Sequence, residues 1–324
     1  MFTEAIEQIL ADRCTPAAVR AIEAGGSPEA LWSAIADAGF LQLLAQEDEG
    51  GAGLPLADFY PVVRAFGRCA MPLPVAQTIA ARALAAGRFE LPAGRIAMAT
   101  TLLRANGAIV CPLVAEGMVA EHVLARDGRG LLLLPLARAH REASGVYASL
   151  VATLTWDGTV DAPRSPNGGA ELAAFAAALN AALIAGAMGR VFEMTLQYCN
   201  DRTQFGKSLG KFQGIQHQLS VMAEQAAATG MAAEAAFHAH GQVPEELPAA
   251  IAKARTSEAA HWVAATAHAL HGAIGITEEY DLQLFTRRLH EWRMAHGSEE
   301  HWNRVVGRSV LASPLTLAEF ARTV

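Results

Sequence analysis

The sequence predicts a mainly α-helical protein with a small central β domain, and three observations lead there. Toward both ends of the chain apolar residues recur at three- and four-residue spacing, the stripe of an amphipathic helix. Between Arg88 and Pro163 that period gives way to short β-capable runs punctuated by Gly and Pro. The composition, 52% hydrophobic but only 6% aromatic and 18% charged over 324 residues, suits helices that approach closely through small side chains. The changes of period divide the chain into an N-terminal helical domain, residues 1–88, a small β domain, residues 89–165, and a C-terminal helical bundle, residues 166–324.

In the first segment, "GGSPEALW" places Ser27 as an N-cap with Pro28 at the first helical position, and the glycines of "EDEGGAGLPLADF" break the chain before a restart near Asp58. Three or four short helices are expected. In the second, "RIAMATTLL", "GAIVCPLV", "HVLARDGRGLLLLPL" and "SLVATLTWDG" read as strands, with "DGRG" as a hairpin turn, about five or six strands at ordinary lengths. After "DAPRSPNGGA" the helical pattern runs from Glu171 to about Arg202, Phe212 to His240, Glu246 to His271, Tyr280 to Met294 and Glu299 to Ala312. Long antiparallel helices in that number predict a bundle.

Charge and sorting signals exclude several classes. The net charge is −7 with a pI near 5.9, and no run of Lys or Arg could track phosphates, so nucleic acid is not a partner. The start "MFTEAIEQIL" carries acids in place of a basic signal region, and a cytoplasmic location is expected. Leu172 to Gly189 is apolar, but its residues are largely Ala and Gly, Asn180 interrupts it and no basic flank orients it; a buried helix is expected there, not a membrane span. Cys14, Cys69, Cys111 and Cys199 are widely spaced without a CxxC pair and read as reduced thiols.

One stretch is specific. In "QYCNDRTQFGKSLGKFQGIQHQL", Arg202, Gln204, Phe205, Gly206, Leu209, Phe212 and Gln213 fall in the order R-x-Q-F-G-x-x-L-x-x-F-Q. This resembles the signature of the acyl-CoA dehydrogenase family. The domain order and "LWSAIADAGFLQLLAQEDEGGAGLPLADF" resemble that family too, so the likeness spans nearly the whole chain. The residue chemistry agrees with it: a guanidinium fork suits a pyrophosphate, and Phe205 offers a flat apolar face to a ring. The resemblance implies an acyl-CoA dehydrogenase-like fold and FAD as cofactor. It also implies an acyl-CoA substrate and a homo- or hetero-oligomer, dimer or tetramer, in which these residues reach the FAD of a neighbouring subunit. A second segment, "HALHGAIGITEEYDLQLFTRR", is similar to the family's Q-x-x-G-G-x-G-[FY]-T-x-E, with Ala269 in place of the glutamine and Ala273 in place of one glycine. The FAD-binding set carried over by resemblance is Arg202, Gln204, Phe205, Leu209, Gln213, His271, Gly272, Ser298 and Glu300.

Three landmarks of the family are missing. The proton-abstracting glutamate usually stands in Y-E-G-T-x-x-I-Q; here "MAHGSEEHW" puts His296 at that position, followed by Gly297 and Ser298. Relatives that keep the glutamate on the first bundle helix would have it near Phe175, Ala176 and Ala177, and Glu171 lies more than a turn too early. Nothing between Ala97 and Asp157 resembles the Y-x-x-T-E-P-x-A-G-S segment that holds the flavin ring. His296 has two roles open to it: a base, since imidazole titrates near neutrality, or a polar residue just before a helix capped by Ser298 with Glu299 and Glu300 in its first turn.

Metal is not expected. His296 and His301 are about 140° apart if both are helical, His268 and His271 fall in the flavin strip, and His238 and His240 suit a helix end. Arg287, Arg288 and Arg293 have two readings, contact with CoA phosphates or a partner chain and a solvated helix face, of which the solvated face is the expectation. The function implied is FAD-dependent α,β-dehydrogenation of a CoA thioester, of a fatty acyl or steroid side chain, to the trans-2-enoyl ester. In hetero-oligomeric members of the family a short degenerate chain partners a complete one, and this chain fits that description. The reading from another class is a scaffold that keeps the fold and binds no flavin.

Overall fold

The computed structural model describes residues 2–128, 130–239 and 241–323. The chain opens with five helices: α1 (Phe2–Arg13), α2 (Pro16–Glu23), α3 (Glu29–Asp37), α4 (Leu56–Arg68) and α5 (Val75–Ala85), more than the three or four expected. The hydroxyl of Thr15 accepts from Ala18 N and Pro16 occupies the first turn of α2. At Ser27-Pro28 the expected roles shift by one residue, because Pro28 is itself the residue flanking α3, while Ser27 Oγ accepts from Glu29 N at 3.3 Å.

The β domain holds eight strands, not five or six: β1 (Ile96–Ala99), β2 (Leu103–Ala105), β3 (Ala108–Val114), β4 (His122–Asp127), β5 (Gly130–Pro135), β6 (His140–Ala143), β7 (Ala152–Asp157) and β8 (Arg164–Gly168). They form two four-stranded sheets, ordered β1-β4-β5-β8 and β2-β3-β7-β6. The strands missed in the sequence, β2, β6 and β8, are sheet edges with largely exposed residues, so hydrophobic patterning carries no trace of them. β4 and β5 pair antiparallel up to Asp127 and Gly130, as "DGRG" predicts; Arg129 of that turn lies outside the described residues.

From Gly168, whose φ of 94° only glycine adopts easily, the chain enters α6 (Gly169–Asp201), the central helix of the bundle. Around it lie α7 (Gln213–Ala235), α8 (Glu246–His271) and α9 (Leu282–Met294), with α10 (Glu299–Ala312) packed on α8 and a short α11 (Leu317–Phe320) after it. α6 is long and apolar enough to cross a membrane, yet 89% of its most apolar window is buried inside the protein, where small residues admit neighbours on every side. At its crossing with α4 a Cβ on Gly67 would stand 2.1 Å from Leu183 O, and one on Gly186 the same 2.1 Å from Arg64 O, so only glycine allows this approach. α7 ends at Ala235, short of the expected His240; His238 is exposed beyond the helix, and His240 lies outside the described residues.

Candidate active site

The connection between α9 and α10 forms a sharp corner. His296 has φ 56° and Gly297 φ 104°, and the indole of Trp302, one turn into α10, folds back to donate to His296 O at 3.1 Å. A Cβ on Gly297 would lie 2.8 Å from the His301 ring and 2.9 Å from Trp302 Nε1, which makes glycine obligatory there. Ser298 does occupy the N-cap position of α10, but its hydroxyl makes no capping bond.

The corner borders a cavity of about 620 Å³ between the bundle and the β domain. Its other walls are the end of β1 (Met98 to Thr101), the bulge in β3 around Leu113, and the loop from Ser144 to Val146. That loop is strapped down: Arg287 Nη1 donates to Tyr147 O at 2.9 Å, and Tyr147 Oη lies 3.5 Å from Glu278 Oε1. The His296 ring has Nδ1 3.4 Å from Thr100 Oγ1 and a buried Nε2 with no partner among the described residues. Burial and the nearby Lys253 charge push its pKa down to about 4. Neutral His296 is thus a poor proton acceptor, because an imidazolium would form in a buried place beside an ammonium.

No carboxylate replaces it on α6. Phe175, Ala176 and Ala177 are buried and apolar, and Glu171 is ion-paired to Arg88. Glu291 does border the cavity, but its carboxylate is paired with Arg288 Nη1 at 3.0 Å.

The expectation of a solvated arginine face on α9 is overturned. Arg288 is only 2% exposed and pairs with Glu23 of α2 at 3.0 Å as well as with Glu291. Arg287 pairs with Glu23 at 2.8 Å, and Arg293 with Glu299. α9 packs on α6 and α8, and on its other side Arg287 and Arg288 pair with Glu23 of α2, so these charges are matched by carboxylates where a solvated face was expected. Close by, Glu116, which follows β3 at φ 52°, accepts a hydrogen bond from Gln77. Burial foremost, with Glu291 adding to it against the pull of Arg288, raises its pKa to about 7. Sequence reading missed Glu116, Glu291 and Lys253. The one available signal was a charge within an alanine-rich run, as in "AAIAKARTSEAA".

The RTQFG stretch stands elsewhere. Thr203–Gln204 and Lys207–Ser208 form a two-stranded hairpin, and its turn residues Phe205 and Gly206 have φ 51° and 77°, the left-handed pair of a tight hairpin turn. Phe205 is 91% exposed, and the Arg202, Gln204 and Gln213 side chains are exposed as well. Lys207 Nζ sits 4.2 Å from the Phe212 ring, and Leu209 N donates to Arg202 O at 2.9 Å. Tyr198, in the last turns of α6, ties this loop to the end of α8: its hydroxyl donates to His271 O at 3.2 Å and its ring stacks on His271 at 4.4 Å. His271 is 4% exposed. Its Nδ1 lies 2.8 Å from Ala267 O and must carry the proton, which leaves Nε2 an acceptor with no partner among the described residues. Gly272 follows at φ 64°.

The structure therefore gathers Arg202, Gln204, Phe205, Leu209 and Gln213 near His271 and Gly272, and separates them from His296 and Ser298. Lys253, which touches the corner, and His271 are eighteen residues apart on α8, or about 27 Å at the helical rise. Glu300 is exposed on α10 and ion-paired to Arg304. The cysteines are free thiols, and among the described residues no group of three or more His, Cys, Asp or Glu is placed to hold a metal ion.

Comparison with known proteins decides the family. Residues 1–88 match the model of the acyl-CoA dehydrogenase N-terminal domain and residues 171–311 that of the acyl-CoA dehydrogenase C-terminal domain. A curated relative, acyl-CoA dehydrogenase IpdE2 of Mycobacterium tuberculosis (strain ATCC 25618 / H37Rv), is 34% identical over 300 residues, 90% of each chain. The chain belongs to the acyl-CoA dehydrogenase family. Among solved structures, a chain of the ChsE4-ChsE5 complex from Mycobacterium tuberculosis superposes with a TM-score of 0.83 at 20% identity, over 97% of both chains. The Tcur3481-Tcur3483 steroid ACAD gives 0.82 at 22%, over 95% of this chain and 96% of the other. Members of the acyl-CoA dehydrogenase family are FAD-dependent oxidoreductases. The two matched ranges leave residues 89–170 between them.

Proposed function

We propose that this chain is the partner subunit of an FAD-dependent acyl-CoA dehydrogenase assembly that converts a CoA thioester to its trans-2-enoyl form. In this reading its hairpin serves a flavin shared with a neighbouring chain, and that neighbour supplies the carboxylate base. The supporting observation is the separation just described: the exposed Arg202–Phe205 hairpin lies at one end of α8 and the His296 corner at the other, so the hairpin faces away from its own chain's cavity.

The residues present fit the cofactor. Arg202 has no ion-pair partner among the described residues and can fork onto a pyrophosphate. Gln204 can donate and accept beside it, Phe205 is presented for contact with a ring, and the orphaned His271 Nε2 can accept from a ribityl hydroxyl. The flavin supplies the hydride acceptance that no side chain can. At the chain's own cavity His296 and Thr100 offer polar contacts to a bound group, and the Ser144–Val146 loop forms one wall. The complexes named above, ChsE4-ChsE5 and Tcur3481-Tcur3483, pair two differently named chains, which agrees with a hetero-oligomer here.

Purification alone and after co-expression with a longer acyl-CoA dehydrogenase chain from the same organism tests this reading. Flavin absorption and acyl-CoA dehydrogenation are expected in the pair and not in the isolated chain. A pair that stays colourless with added FAD would overturn the reading in favour of a scaffold. Full turnover by the isolated chain would overturn the partner role.

A further inference from the structure

Two of the four cysteines, Cys14 and Cys69, stand 55 positions apart in the chain and meet in the fold. Cys14 extends the last turn of α1, its N–H bonded to Leu10 O at 2.9 Å, and Cys69 is the residue that ends α4. The chain reverses directly after it: Ala70 has φ 52°, and Met71 N donates to Phe66 O at 3.1 Å. α1 packs on α4, so both sulfurs are placed by helix ends whose backbone is already bonded.

Cys14 Sγ donates to Cys69 O at 3.6 Å. A thiol touching the main chain of a second cysteine is within a side chain's reach of its sulfur, since a disulfide needs Cβ atoms about 4 Å apart. The Cys69 thiol itself donates to Phe66 O at 3.3 Å and has the Cys14 thiol as a further hydrogen-bonding neighbour. The pair can be reached from outside. Cys14 is buried, but Cys69 is half-buried, and both border an open cleft of about 460 Å³ between α1, α4, α6 and α9. Of the charges on that cleft, Arg68 and Arg190 are shared with Glu193, and Glu7 adds a carboxylate, so an anionic reagent gains nothing there and a small uncharged one enters freely. Cys111 in β3 and Cys199 in α6 are wholly buried on separate elements.

We propose that Cys14 and Cys69 form a dithiol modification site, which hydrogen peroxide converts to an intrachain disulfide that clamps the end of α1 to the end of α4. Peroxide oxidises the Cys69 thiol to a sulfenic acid and leaves as water. The Cys14 sulfur then attacks the Cys69 sulfur, the S–S bond forms, and the hydroxyl departs with the Cys14 proton as a second water. Burial foremost, with the Cys14 thiol beside it, pushes the pKa of the Cys69 thiol well up, which keeps the pair reduced while peroxide is scarce. The cleft includes neither the hairpin nor the corner, so the inference does not rest on the partner-subunit reading.

The test is to treat the folded full-length chain with hydrogen peroxide, denature it, alkylate without reduction and map the peptides. The expected result is a cross-link between the Cys14 and Cys69 peptides, alkylation of Cys111 and Cys199 alone, and recovery of all four alkylated thiols after dithiothreitol. The cross-linked chain should melt at a higher temperature than the reduced chain, because the bond restrains the unfolded state, and Cys69→Ser should lose that shift. If Cys69→Ser does not fold, Cys14→Ala takes its place. Four alkylated thiols after peroxide, a sulfinic acid at Cys69, or a cross-link to Cys111, Cys199 or a second chain overturns the proposal, and the mapping needs no variant. An unchanged melting temperature in the cross-linked chain overturns the clamp. Flavin content and turnover do not enter these measurements, so failure here is distinct from failure of the partner-subunit reading.

Discussion

The hairpin after α6 and the corner after α9 use the same local device. Each sets a non-glycine residue and then a glycine at positive φ, Phe205-Gly206 in one and His296-Gly297 in the other. A large side chain pays for this conformation in strain, so surrounding structure must hold it. The fates of the two side chains are opposite. Phe205 points away from the protein beside exposed Arg202 and Gln204, whereas His296 turns toward a cavity, its carbonyl held by Trp302 and its surroundings charged by Lys253. The hairpin has left its chemistry free for something outside the chain. The corner has committed its groups to contacts within it.

The largest effect should come from breaking the support behind the corner. Arg288→Ala leaves Glu23 and Glu291 facing each other in a buried place, and urea denaturation should show a loss of about 3–5 kcal/mol; a loss under 1 kcal/mol would mean the network is hydrated. Next is Glu116. Folded, it keeps its proton up to about 7, against an ordinary carboxyl value of 4.5. The stability this confers is fully present below pH 4.5 and lost as pH rises through 7, a swing of at most about 3 kcal/mol. Relative to the wild type, Glu116→Gln should therefore gain stability between those limits, and parallel stability–pH curves for the two proteins would refute the assignment.

The hairpin should answer differently. Arg202→Ala is expected to lower FAD occupancy of the assembly about tenfold or more, the size of one lost charge-assisted bond, while the isolated chain keeps its stability within about 0.5 kcal/mol. Smallest of all is His296→Ala, expected to change turnover of the assembly by less than about twofold. Abolished turnover with flavin still bound would restore His296 as the base and collapse the contrast between the two regions.

The two regions were unequally legible in the sequence. RTQFG could be read because its residues act through type and spacing along one loop, and the same holds for Gly297 at the corner. Arg288 could not, since whether an arginine on an amphipathic helix meets water or Glu23 depends on a helix more than two hundred positions away. The edge strands β2, β6 and β8 were missed for a related reason: they bury too little to leave a pattern, and pairing with β3, β7 and β5 is what makes them strands.

By itself the sequence determined the mainly helical class with its central β segment and the family signature, because periodicity, spacing and residue identity are local properties. Only the tertiary structure decided that the hairpin and the corner lie at opposite ends of α8, that Arg288 of α9 is buried against Glu23, and that Lys253 is buried against the last turn of α9. Protonation and pairing depend on the dielectric and on charges brought together by packing, and no local stretch of chain records them.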